Sequence, residues 1–145
     1  MILKIKKLDP RATMPAKAHQ TDACFDLAVV MDCDVQELSS CETHVFGTGL
    51  AFEVPPGHVM RIYPRSSTGI RLHATFPNCI GIIDSGYRGE IKVALTNIGH
   101  HTTQIHNGSR VAQFEIAPVL PVEIEEADEL SPSDRGDNGI GSTGR

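Results

Sequence analysis

Three residues in the stretch PNCIGIIDSGYRGEI, positions 77–91, have types and spacing that could do chemistry together. Asn78 carries an amide that can read the edge of a base. Asp84 carries a carboxylate that can take a proton from water. Tyr87 offers a flat ring that can cover a sugar. The apolar run Ile80-Gly81-Ile82-Ile83 ends on Asp84, Ser85-Gly86 follows, and a second strand-like run extends from Glu90 to Leu95. This pattern predicts a β-hairpin with the three groups on one small concave surface. An ordinary hairpin with a turn-capping Asp and a packing Tyr would show the same pattern, so the remaining stretches decide.

Pro64-Arg65-Ser66-Ser67-Thr68-Gly69 places a strand-ending proline before a planar, permanently charged fork and two hydroxyls. Ser66 or Ser67 is expected to cap a short helix, whose free N–H groups suit a phosphate. Gly108-Ser109-Arg110-Val111-Ala112-Gln113 turns into a strand on which Gln113 presents an amide to one face. In Thr21-Asp22-Ala23-Cys24-Phe25-Asp26-Leu27, Asp26 sits within an apolar strand, where an unpaired charge is costly. It requires a cation, either an Arg or a hydrated metal. The C-terminal run from Arg135 to Arg145 contains a literal G-x-G-x-x-G at 139–144, but the chain stops one residue later, so the helix of a dinucleotide site cannot follow. Arg135, Ser142 and Thr143 on this Gly-rich strip could instead close over a phosphate chain.

The elements that must position these groups are mostly strands. Ile2–Leu8, Ala23–Val30, Thr43–Val54 (broken at Gly47-Thr48-Gly49), Val59–Tyr63, Gln104–Asn107 and Arg110–Val119 are short β-prone runs separated by Gly, Pro, Asn and Asp. Only Ser66–His73, and a turn near Glu125–Leu130, read as helical. An all-β sandwich or barrel follows. From Asp128 the composition becomes that of a flexible arm, giving a body over 1–127 and an arm over 128–145. The 145 residues suffice for one domain with a real core, and 40% of them are hydrophobic. A net charge of −5 excludes a generally basic surface for nucleic acid. No apolar stretch approaches a membrane span, and the N-terminal MILKIKKLDP lacks the apolar core of a signal peptide. An intracellular, cytoplasmic protein with reduced cysteines is expected, since Cys24, Cys33, Cys41 and Cys79 show no zinc spacing. The histidines show no H-E-x-x-H, and His100, His101 and His106 are expected at the surface.

Taken in order, ACFDL, PRSSTG, GIIDSGYRGEI, GSRVAQ and RGDNGIGSTG resemble the five motifs of the trimeric dUTPase family, the deoxyuridine triphosphate nucleotidohydrolases. The segments Thr48-Gly49-Leu50 and Pro55-Pro56-Gly57 are also similar to it. The resemblance implies a distorted β jelly roll with one short helix and a Gly-rich arm, assembled as a homotrimer with shared active sites. In this family motifs one, two and four come from one subunit, the third from a neighbour and the fifth from the remaining subunit's arm. The resemblance implies that Asn78, Gly81, Ile83 and Tyr87 meet uracil and deoxyribose, and that Asp84 is the general base. It implies phosphate contacts from Arg65, Ser66, Ser67, Gln113, Arg135, Ser142 and Thr143, a base lid at Ile140, and Mg²⁺ held by Asp26 through water. The implied reaction converts dUTP to dUMP and pyrophosphate, which keeps uracil out of DNA and supplies dUMP for dTTP synthesis.

The chain departs from the family pattern at three places. Ile140 stands where an aromatic usually stacks on uracil, which implies a weaker lid and a raised KM with the chemistry little changed. Cys24-Phe25 stands where Gly-Tyr is usual, which removes a hydroxyl and puts a side chain where Gly is common. The sequence also ends directly after the fifth motif. A dCTP deaminase on a similar fold is the first alternative, but it needs a Glu-type base at the hairpin, and Ile-Asp-Ser-Gly-Tyr favours the diphosphohydrolase. A nucleotide-gated regulatory jelly-roll protein is the second.

Overall fold

The computed structural model describes residues 1–139. Among them the order is β1 (Lys4–Lys7), β2 (Phe25–Ala28), β3 (Val35–Leu38), β4 (Thr43–Glu53), β5 (His58–Pro64), α1 (Ser66–Ile70), β6 (Ala74–Thr75), β7 (Gly81–Ile83), β8 (Glu90–Asn97), β9 (Thr103–His106) and β10 (Arg110–Pro118). Two antiparallel four-stranded sheets, β1-β4-β8-β6 and β2-β10-β5-β7, form an open jelly-roll sandwich, with β3-β9 as a separate ribbon. The sheets do not close into a barrel. No helix among the described residues is long and apolar enough to cross a membrane.

Alternation explains the core. On β8, Ile91, Val93, Leu95 and Asn97 are buried while the residues between them are not. Phe46, Leu50 and Phe52 from the neighbouring β4 of the same sheet, and Met60, Ile62, Val111 and Phe114 from the second sheet, pack with them. Each fully buried side chain of this size stabilises by about 1.5–3 kcal/mol. The inward-facing Asn97 is wholly buried, and its amide donates to the Leu38 and His101 carbonyls at 2.9 and 2.8 Å. The cysteines are all free thiols, and His100, His101 and His106 are exposed, as expected.

Four local expectations are corrected. Residues 77–91 are not a hairpin: β7 joins the second sheet beside β5, and β8 joins the first sheet between β4 and β6. Gly81 lies opposite Ile62 in that pairing, and a Cβ at this position would crowd the Ile62 Cβ at 3.2 Å. Residues 84–89 therefore cross between sheets, after a single turn closed by the Tyr87 N–H on the Asp84 carbonyl at 3.1 Å. Second, β4 is not broken at Gly47-Thr48-Gly49; it continues through an irregularity in which the register moves from Gly47 opposite Lys92 to Ala51 opposite Glu90. Third, the cap of α1 is Arg65, with no side-chain cap hydrogen bond, so Ser66 and Ser67 are its first helical residues. The helix is held instead by Thr68, whose buried hydroxyl donates to the Val111 carbonyl at 2.8 Å. Fourth, residues 125–130 form no helix.

Candidate active site

Register assembles the first group. Asp26 on β2 lies opposite Gln113 on β10, and Gln113 lies opposite Tyr63 on β5. Pro64 then ends β5, and Arg65 leads into α1 beside the same strand ends, with its N–H on the Val111 carbonyl at 3.3 Å. Arg65 Nε meets Asp26 Oδ1 at 2.8 Å, and Arg110 Nη1 meets Asp26 Oδ2 at 3.1 Å. A second Arg65 nitrogen donates to the Arg110 carbonyl at 3.0 Å. The Asp26 side chain is only 13% exposed. The cation that this charge needs is thus a pair of arginines. Arg110 was not singled out from the sequence; its signal was the buried charge on β2 with a basic residue entering the neighbouring strand. Gln113 donates weakly to the Pro64 carbonyl at 3.3 Å.

The result is one carboxylate braced between two guanidinium groups, with the Ser66 and Ser67 hydroxyls and the first turn of α1 alongside. Early N–H groups of a helix lack intrahelical acceptors, so the cluster offers donors to an anion. Among the described residues no group of three or more His, Cys, Asp or Glu is arranged to hold a metal. Asp26 Oδ2 accepts from Arg110 and Oδ1 is ion-paired with Arg65, yet each carboxylate oxygen has a further lone pair. This donor set fits a hydrated cation that arrives on a polyphosphate and touches Asp26 through water, as Mg²⁺ commonly does.

The second group lies beyond β5 on the edge strand. Asn78, Gly81 and Ile83 line a cavity of about 330 Å³ with Ile62, Phe76 and Lys92. Asp84 and Tyr87 line an adjoining cavity of about 250 Å³ that shares Ile82, Ile83 and Lys92 with the first. The Asn78 amide donates to the Ile80 carbonyl at 3.2 Å, and Cys79 adopts a left-handed φ of 62° in this turn. Asp84 is exposed. The Tyr87 hydroxyl donates to the Glu90 carbonyl at 3.0 Å, and the residue is 45% exposed. Arg88 ties the turn with bonds to the Ser85 and Tyr87 carbonyls at 2.7 and 2.8 Å.

The two groups do not meet within one chain. Ile83, just before Asp84, is opposite Met60, whereas Arg65 follows the other end of β5. The five positions from Met60 to Arg65 correspond to roughly 16 Å at about 3.3 Å per residue. Arg135 is placed with neither group; its Nε donates to the nearby Asn138 carbonyl at 3.0 Å. Ile140, Ser142 and Thr143 lie outside the described residues. Cys24 does not take a left-handed φ, so this position does not require glycine. Burial pushes the Cys24 thiol up from its ordinary value, with the Glu115 charge adding to the effect. Phe25 stacks on Phe114 at 5.4 Å.

A family model described as dUTPase matches residues 10–144. The chain belongs to the dUTPase family. It is 44% identical, over all of both chains, to the deoxyuridine 5'-triphosphate nucleotidohydrolase of Nautilia profundicola. The enzyme of the same name from Clostridium acetobutylicum is 42% identical over 98% of this chain and 96% of that one. Among solved structures, a mutant dUTPase of Staphylococcus bacteriophage 80alpha with dUpNHpp aligns with a TM-score of 0.89 at 26% identity, covering 99% of each chain. The protein is accordingly an enzyme of the class that hydrolyses dUTP. All five stretches fall within the matched residues.

Proposed function

We propose that the chain hydrolyses dUTP to dUMP and pyrophosphate, with Asp84 as general base and Mg²⁺ as cofactor. The observation that carries this reading is the braced Arg65–Asp26–Arg110 cluster beside Gln113, Ser66 and Ser67, on the same sheet as the cavity lined by Asn78, Gly81 and Ile83. Asn78 and nearby backbone groups read the uracil edge, and Tyr87 lies under the deoxyribose. A cytosine would present the wrong donors and leave buried polar groups unpaired. Arg65, Ser66, Ser67 and Gln113 hold the triphosphate. Arg135, Ser142 and Thr143 on an arm over 128–145 close over it, with Ile140 covering the base.

The separation of Asp84 from Arg65 along β5 supports a site built from more than one chain. A homotrimer with shared sites satisfies this, since a neighbour's β7 edge can face this chain's arginines. Asp84 takes a proton from a water as its oxygen bonds to the α-phosphorus. The bond from the α-phosphorus to the bridging oxygen breaks, and its electron pair leaves with pyrophosphate. The arginines and helix amides stabilise charge on the non-bridging oxygens, which is most of what phosphoryl transfer asks of a protein. When bound, Mg²⁺ would neutralise phosphate charge and orient the chain, touching Asp26 through water. Supply of dUMP for dTTP synthesis and exclusion of uracil from DNA follow from the products.

The test is pyrophosphate release from dUTP with Mg²⁺, alongside dCTP, dTTP and UTP, for the wild type and Asp84→Asn. Turnover restricted to dUTP, lost in the variant while dUTP still binds, is expected. Ammonia release from dCTP, or tight dUTP binding without turnover, would overturn the assignment.

A further inference from the structure

Tyr87 stands on a crossing between sheets, so something other than strand pairing must set its plane. Its ring lies across Gly89, where a Cβ would stand 2.6 Å from the Tyr87 Cζ. Its hydroxyl ends on the Glu90 carbonyl at 3.0 Å. Glu90 is anchored in turn by its own carboxylate, because Oε1 accepts the Gly49 N–H at 2.9 Å. The irregularity in β4 makes room for that carboxylate: a Cβ on Gly47 would lie 2.5 Å from Oε1. Gly49 is itself fixed, at a φ of 65°, and its carbonyl accepts the Leu8 and Asp9 N–H groups at 2.8 and 3.3 Å. Asp9 is clamped by Arg11, which also reaches Asp32 at 2.8 Å.

We propose that Glu90 is a positioning residue: by tying the Asp84–Gly89 crossing to the Gly49 bulge, it sets the plane of Tyr87 and so the discrimination between deoxyribose and ribose. This rests on the reading of Tyr87 as the sugar platform. The carboxylate acts as a hydrogen-bond acceptor here, so an amide oxygen serves in its place and an alanine does not.

The experiment compares wild type, Glu90→Ala, Glu90→Gln and Gly47→Ala in kcat/KM for dUTP and for UTP. Loss of one anchoring hydrogen bond is expected to shrink the preference for dUTP about ten-fold in Glu90→Ala. Gly47→Ala, which crowds the carboxylate without altering it, shifts the preference the same way and carries the test where Glu90→Ala does not fold. Glu90→Gln restores the preference. A second readout does not depend on turnover. The chain has two tyrosines and no tryptophan, so in a Tyr63→Phe background Tyr87 alone emits. Acrylamide should quench it more readily with Glu90→Ala or Gly47→Ala, and not with Glu90→Gln. Unchanged selectivity together with unchanged quenching in Glu90→Ala would overturn the proposal, as would a Glu90→Gln variant as impaired as Glu90→Ala. If the wild type fails to hydrolyse dUTP, the reading of the site falls, and the quenching series still decides whether Glu90 holds Tyr87.

Discussion

Replacing Asp26 by Asn separates a structural brace from a metal ligand. The carboxylate is ion-paired with Arg65 at 2.8 Å and accepts a hydrogen bond from Arg110 at 3.1 Å, while its side chain is 13% exposed. An amide of the same shape keeps one acceptor and turns a donor toward the other guanidinium. A hydrogen bond to a charged group contributes about 1.5–3 kcal/mol, with the lower end apt where one partner is well exposed. Arg110 is 58% exposed and Arg65 28% exposed. The net loss is therefore about 2 kcal/mol, or a fall of roughly 4–8 °C in Tm for a domain of this size. Urea and thermal unfolding at one fixed protein concentration measure it. Pyrophosphate release titrated with Mg²⁺ supplies the second reading: with Arg65 no longer held, kcat/KM falls about 10²-fold, as misplacement of a positioning group does. If Asp26 acts mainly as brace, saturating Mg²⁺ does not recover this loss and the half-saturating Mg²⁺ concentration is unchanged. Stability within about 0.5 kcal/mol of wild type would refute the reasoning about the brace, since surface substitutions alone fall in that range. Full recovery at high Mg²⁺ would refute the conclusion that the arginines are what Asp26 chiefly serves.

Gly49→Ala should be severely destabilising, by about 2–3 kcal/mol, because a left-handed backbone combines with contacts of 2.9 Å to the Ala12 and Asp9 Cβ atoms; the urea midpoint should fall at constant slope. The hydrogen bond from Tyr63 to Glu115 at 2.8 Å raises the Tyr63 pKa above its ordinary value, with burial adding to it. A raised folded-state pKa contributes stability that is fully present below the unfolded value near 10 and is lost as pH rises through the folded value. Tyr63→Phe should therefore cost stability at pH 8, and its gap from wild type should narrow above about pH 10 in paired urea melts.

The ordering of the five stretches along the chain was legible because each holds polar groups that a plain sandwich does not need. The all-β class was legible because the runs are short and lack helical spacing. Partner choice was not. Gly81–Ile83 and Glu90–Leu95 look alike as β-prone runs, and period-two alternation does not say which neighbour each will take. The pairing that β7 does take, with Gly81 opposite Ile62, joins residues distant in sequence. Gly47-Thr48-Gly49 read as a break for a related reason. Two glycines mark an irregularity, but the pairing with β8 resumes at Ala51 opposite Glu90, whose carboxylate accepts the Gly49 N–H. Asp26 was legible as a charge needing a cation, while the choice between arginine and metal depended on where Arg110 entered β10. Ser66 looked like a cap because serine favours caps; here Arg65 takes that place, and Thr68 anchors the turn from within.

The span of β5 between Arg65 and the partner of Ile83 has a genetic consequence. If each strand lends its two ends to two different centres, a lesion at one end and a lesion at the other are damage of different kinds. Chains carrying Arg65→Ala and chains carrying Asp84→Asn, each inert alone, would rebuild some intact centres when co-assembled, whereas a chain carrying both changes would rebuild none with either of them. In a cell making two such alleles, recovery of growth would depend on subunit exchange and not on the amount of either product.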